Sequence, residues 1–131
     1  MPSTVVALVD DLFFLAKIRE TAQAVGVTVV TGDKHRGPAG IAEARPQAIY
    51  LDLNPRGLTA VDWIRALKGD PATRPIPIVG FVSHVQEELI TAARAAGCDS
   101  VMARSAFVKQ LPNLLRSLVK DSEVKERSGN R

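Results

Sequence analysis

The sequence predicts an α/β domain, a doubly wound parallel sheet built from five βα units with helices on both faces. Short β-branched runs alternate with helical segments along the chain. Strands joined through helices run parallel, with right-handed crossovers that cover both faces of the sheet. The strand-like runs are nearly continuous in apolar residues, as strands covered on both sides must be. The 131 residues, 46% hydrophobic and 24% charged, suit one globular domain with a single sheet-centred core.

Thr4-Val5-Val6-Ala7-Leu8-Val9 reads as the first strand. Phe14, Ile18, Ala22 and Val25 then recur at helical spacing, and Gly26 sits where a helix stops. Val27 to Thr31 is a second strand. Gly32 to Gly40, with Pro38, reads as a loop, leaving room for a short helix before Arg45-Pro46. Ala48-Ile49-Tyr50-Leu51 is a third strand ending at Asp52; Pro55 and Gly57 mark a turn. Thr59 is placed to cap a helix whose Val61, Ile64 and Leu67 share one face. Ile76 to Val82 is a fourth strand with Pro77 tolerable near its start. A helix follows from Gln86 to Ala96, stopped by Gly97, and Ser100-Val101-Met102 is a short fifth strand. Val108, Leu111, Leu115 and Leu118 form the apolar stripe of a last helix. The domain is expected to span 1–120, with 121–131 a disordered tail and no room for an output domain after it. Units of this length suit the flavodoxin-like strand order 2-1-3-4-5, which puts a crevice at the carboxyl ends of strands one and three.

Composition narrows the function. The formal net charge is +3, and the last eleven residues balance three acids with three bases. An excess this small serves solubility, and nucleic acid is not an expected partner. No apolar run is long enough for a membrane span, and Met1-Pro2-Ser3-Thr4 does not read as a signal peptide. The single cysteine, Cys98, forms no internal disulfide and is expected to be a small buried residue in a cytoplasmic protein. Trp63 is expected to be partly buried, and His35 a solvated loop residue. No glycine-rich phosphate loop is present.

The chemistry lies at the strand ends. Asp10 and Asp11 close the first strand and Asp52 the third. Carboxylates converging in one crevice repel unless neutralised, and a hard dication held by oxygens is a natural neutraliser. Ser83 ends strand four and Arg104 follows strand five. A hydroxyl and a cation beside acids suit a phosphoryl group, one as hydrogen-bond donor and the other as charge partner. With Leu8-Val9-Asp10-Asp11, Ile49-Tyr50-Leu51-Asp52, Ser83 and Ala95-Ala96-Gly97-Cys98-Asp99 in this order, the chain resembles the receiver domain of two-component response regulators over about residues 4–120. The resemblance implies a stand-alone, chemotaxis-type receiver in a phosphorelay. Asp52 would accept a phosphoryl group from a histidine kinase or phosphotransfer protein. Mg²⁺ would be held by Asp10, Asp11, Asp52 and the backbone carbonyl of Asn54. Ser83 would be the switch hydroxyl, and the chain no enzyme beyond weak autodephosphorylation.

Five departures stand out. The family has lysine where this chain has Arg104, and the two cations are not interchangeable. Ser105 replaces a proline, Val101 an aromatic switch residue, and His84 a small residue that leaves the pocket open. Pro55-Arg56 replaces a methionine-proline pair. A pseudo-receiver that docks proteins without phosphorylation is therefore the alternative, with a flavodoxin-like small-molecule binder third. Lys109, Arg116 and Lys120 fall on one outer face of the last helix, where an acidic downstream partner is expected. Oligomeric state is left open.

Overall fold

An apolar residue at nearly every place lets a single strand supply two cores, because successive side chains leave a strand on opposite faces. The computed structural model describes residues 3–31, 37–54 and 58–129, with side chains as far as Val119 except at 37 and 58. Its elements are β1 (Ser3–Leu8), α1 (Leu12–Ala24), β2 (Val27–Thr31), α2 (Gly37–Ala44), β3 (Ala48–Asp52), α3 (Leu58–Gly69), β4 (Ile78–Val82), α4 (Glu87–Ala96), β5 (Ser100–Ala103) and α5 (Arg104–Gly129). The strands are all parallel in the order β2-β1-β3-β4-β5.

The strand parity divides the interior in two. Val5, Ala7, Val9, Tyr50, Val79 and Phe81 pack with Phe14, Ile18, Phe107, Leu111 and Leu115 of α1 and α5. Val6, Leu8, Ile49, Leu51, Ile78 and Val82 pack with Ile41, Ile64, Leu67, Leu89 and Ala93 of α2, α3 and α4. Cys98 is buried in the second layer, and Trp63 packs against it half-buried. Gly97 ends α4 at φ 112, a left-handed conformation that glycine adopts without strain.

Several boundaries depart from the sequence expectation. Gly37 to Gly40, read as loop, form the start of α2, and Pro38 suits a first helical turn that has no use for its missing N–H. Thr59 lies inside α3, which starts at Leu58, so it is not the cap. The turn at Pro55 and Gly57, and His35, lie outside the described residues. The stripe of α5 is centred on Phe107, Leu111 and Leu115, spaced by four, with Val108 half-buried at its margin. The backbone of α5 runs helical to Gly129. Among the described residues no helix is long and apolar enough to cross a membrane.

Candidate functional site

Strand register decides which side chains share an edge. Leu8 pairs with Leu51, so Val9-Asp10-Asp11 leave β1 level with the end of β3. Asp52 pairs with Phe81, and Val82 with Ala103. Ser83 and Arg104 therefore follow their strands at the same carboxyl edge. Asp52 is only 3% exposed, the one carboxylate among the buried residues described. Asp10 and Asp11 stand exposed beside it in the adjacent strand end.

Asp11 has two duties. It is the N-cap of α1, where one carboxylate oxygen accepts from the N–H of Phe13 at 3.0 Å and of Phe14 at 3.1 Å. Its other oxygen, Oδ2, accepts from the Arg104 guanidinium at 3.0 Å. The same guanidinium lies over the Phe14 ring, 3.8 Å from its centroid. Arg104 and then the Phe14 N–H hold the Asp11 carboxyl below the usual carboxylate range, against a smaller opposing effect of burial. A hard dication does not fit this donor set as it stands, because both Asp11 oxygens are engaged. Among the described residues, no three His, Cys, Asp or Glu side chains group closely enough to hold a metal ion.

The opposite flank is held by an amide. The Asn54 side chain, on the residue pair after β3, reaches across to the loop after β4. Its Oδ1 accepts from the N–H of Ser83, from the Ser83 hydroxyl at 3.1 Å and from the N–H of His84 at 2.9 Å. Its Nδ2 donates to the His84 carbonyl at 3.1 Å and to Gln86 Oε1 at 3.3 Å. The Ser83 hydroxyl thus donates to Asn54 in this structure. Sequence reasoning gave Asn54 a role through its backbone only; its side-chain role carried no local signal, because its partners lie about thirty residues away.

Sequence reasoning also missed the aromatic cluster behind Arg104. Phe81 and Phe107 stack at 4.6 Å between centroids, Phe14 meets Phe81 at 5.1 Å, and Tyr50 meets Phe107 edge-on at 5.1 Å. The spacing of Phe107 four residues before Leu111 is the signal that could have found it. An open cavity of about 450 Å³ lies over this flank, lined by Phe14, Val82, Ser83, Arg104, Ser105 and Val108. Three large apolar side chains stand out at the same edge: Phe13 at 91% exposed, Leu12 at 77% and Val85 at 76%.

No protein-family model matches the chain, and no curated protein matches it. Solved structures do. Chemotaxis protein CheY4 of Vibrio cholerae superposes with a TM-score of 0.74 at 20% identity, over 90% of this chain and 99% of that one. A phosphorylated cyanobacterial phytochrome response regulator, RcpA, gives 0.68 at 22% identity over 90% and 91%. The Mn²⁺-bound response regulator Rcp1 gives 0.65 at 17% identity over 89% and 91%. The chain has the fold of response-regulator receiver domains.

Proposed function

We propose that this chain is a receiver whose Asp52 accepts a phosphoryl group and which signals through protein contacts. The observation that carries the proposal is Asp52 itself, a buried carboxylate at the carboxyl end of the central strand β3, next to the ends of β1 and β4. In the step proposed, an Asp52 oxygen attacks phosphorus, the bond from phosphorus to the donor imidazole nitrogen breaks, and that nitrogen keeps the electron pair. Arg104 is the nearby cation that would offset charge on the phosphoryl oxygens, and Ser83 the hydroxyl that would donate to one of them once Asn54 releases it. Asp10, Asp11, Asp52 and the Asn54 carbonyl belong to the proposal as Mg²⁺ ligands only with Asp11 free of Arg104.

Leu12, Phe13 and Val85 support a protein as the donor, since apolar side chains grouped at one edge suit a protein partner. The downstream contact is proposed on α5, where Lys109 and Arg116 are exposed; the Lys120 side chain lies outside the described residues. A cytoplasmic setting goes with a kinase partner of this type. The experiment is incubation with a small phosphodonor and Mg²⁺, read by intact mass. One phosphoryl group should be gained by the parent protein and none by Asp52→Asn. A parent chain that gains nothing under conditions that load a known receiver sinks the proposal.

The second reading, a docking module without phosphorylation, is favoured by one arrangement. The Asp11 carboxylate and the Ser83 hydroxyl are both engaged by neighbours, Arg104 and Asn54. The same mass experiment separates the two readings.

A further inference from the structure

A divalent cation is the usual answer to carboxylates crowded at one edge. This chain brings a cation of its own to the same edge. Arg104 is the first residue of α5, directly after the strand residue Ala103, which is paired to Val82. Its backbone position is therefore fixed by the sheet. Its side chain is 29% exposed, and Asp11's is 42% exposed.

The seat for the guanidinium is made by one helical turn. Asp11 and Phe14 stand three apart at the start of α1, so the carboxylate and the ring meet the guanidinium together. The ring is itself immobilised by Phe81 and by Phe107, the latter 6.0 Å away between centroids. Two N–H groups hold the other carboxylate oxygen in place, so Asp11 is oriented before any ligand arrives. A planar, weakly hydrated guanidinium can both pair with a carboxylate and stack on a ring, whereas an ammonium is a compact, strongly hydrated point charge.

We infer that Arg104 is the resident counter-cation of Asp11, so that a divalent ion gains this edge only by displacing the guanidinium from its seat on Phe14. The inference rests on the reading of this edge as the receiver's metal-bearing site. Its physical basis is competition. A carboxylate oxygen holding a guanidinium at 3.0 Å cannot also ligate a dication without bringing two positive charges into contact. The edge is thus partly neutralised with no metal present, and metal affinity is set by how firmly Phe14 and Asp11 hold Arg104.

The test uses Mn²⁺ alone, titrated into the full chain and followed by calorimetry and water-proton relaxation. Arg104→Ala should bind Mn²⁺ about fivefold to tenfold more tightly than the parent, the size expected for losing one exposed ion pair and one cation–ring contact. Arg104→Lys should fall between. Phe14→Leu keeps every charge, loosens the seat, and should also tighten binding, which gives a second route if one variant folds poorly. Adding Asp11→Asn to Arg104→Ala should abolish the gain. Equal or weaker Mn²⁺ binding by both Arg104→Ala and Phe14→Leu overturns the inference, as does a gain that survives Asp11→Asn. Phosphoryl uptake on Asp52 is read separately by mass. A gain of Mn²⁺ affinity in the variants with no phosphoryl uptake by the parent upholds Arg104 and overturns the receiver reading; uptake by the parent with unchanged Mn²⁺ affinity in the variants does the reverse.

Discussion

The two layers on either side of the sheet are built from different materials. The layer under α2, α3 and α4 is aliphatic at its centre, with Ile49, Leu51, Leu53, Ile64, Leu67 and Ile78 fully buried. The layer under α1 and α5 is centred on four rings, Phe14, Tyr50, Phe81 and Phe107. Aliphatic side chains fill space without direction. Rings also carry a negative face, which can hold a cation at the rim. The structure uses this difference: the guanidinium of the acid edge sits on the outermost ring of the aromatic layer. Beyond Leu53 of the aliphatic layer, the edge is held by hydrogen bonds that Asn54 accepts from the Ser83 hydroxyl and the His84 N–H. One layer therefore tunes charge at Asp52's edge, and the other fixes the loop beside it.

Truncating the ring at the centre of the cluster should break the comparison most severely. Phe107 is fully buried and touches three other rings. Phe107→Ala should lower the unfolding free energy by about 3–5 kcal/mol in urea titration. Ile64→Val in the aliphatic layer removes one methyl group and should cost about 1 kcal/mol. A Phe107→Ala loss no larger than that of Ile64→Val would mean that the Phe107 ring is not held in a packed core. Tyr50→Phe should act in the opposite direction. The Tyr50 hydroxyl is buried with no hydrogen-bond partner among the described residues, and burial pushes its pKa well above the ordinary tyrosine value. Removing a buried, unbonded hydroxyl while keeping the ring should stabilise the protein by about 1 kcal/mol. A melting temperature that falls instead would show that the hydroxyl is bonded in solution.

What could be read from the sequence was whatever repeats along the chain. The continuous apolar run Val5 to Val9, and the four-residue spacing of Phe14, Ile18 and Ala22, mark strand and helix locally, and the glycines at 26 and 97 mark where helices stop. The ends of β1 and β3, and with them Asp10, Asp11 and Asp52, follow from that pattern plus the crossover rule. The pairing of Arg104 with Asp11 did not, because the two are 93 residues apart and only the packed fold brings them together. The same holds for Asn54 and Ser83. Phe107 was missed for a different reason: Val108 next to it also fits a helical stripe, and only packing decides which of two neighbours turns inward.

The smallest expected effect is electrostatic, and it bears on the charge role that separates the two layers. In the folded chain the Asp11 carboxyl is held below its ordinary range, first by the hydrogen bond from Arg104 and next by the Phe14 N–H. A carboxyl whose folded-state pKa lies below its unfolded value takes up a proton less readily in the folded state. Its contribution to stability is complete above the unfolded value and disappears as the pH falls through the folded one. Arg104→Ala removes the largest cause and leaves the helix cap intact. Near neutral pH the variant should be slightly less stable, because an ion pair this exposed contributes little. As the pH drops through the carboxylate range the parent should lose more stability than the variant, so that the gap between the two urea midpoints narrows to the part owed to the contact of Arg104 with the Phe14 ring. High salt should shrink the neutral-pH gap. Lys109→Ala removes an exposed cation from the same helix, away from Asp11, and should leave the acid limb unchanged. Parallel acid limbs for the parent and Arg104→Ala would mean that the guanidinium does not govern Asp11, and the aromatic layer would then differ from the aliphatic one in packing alone.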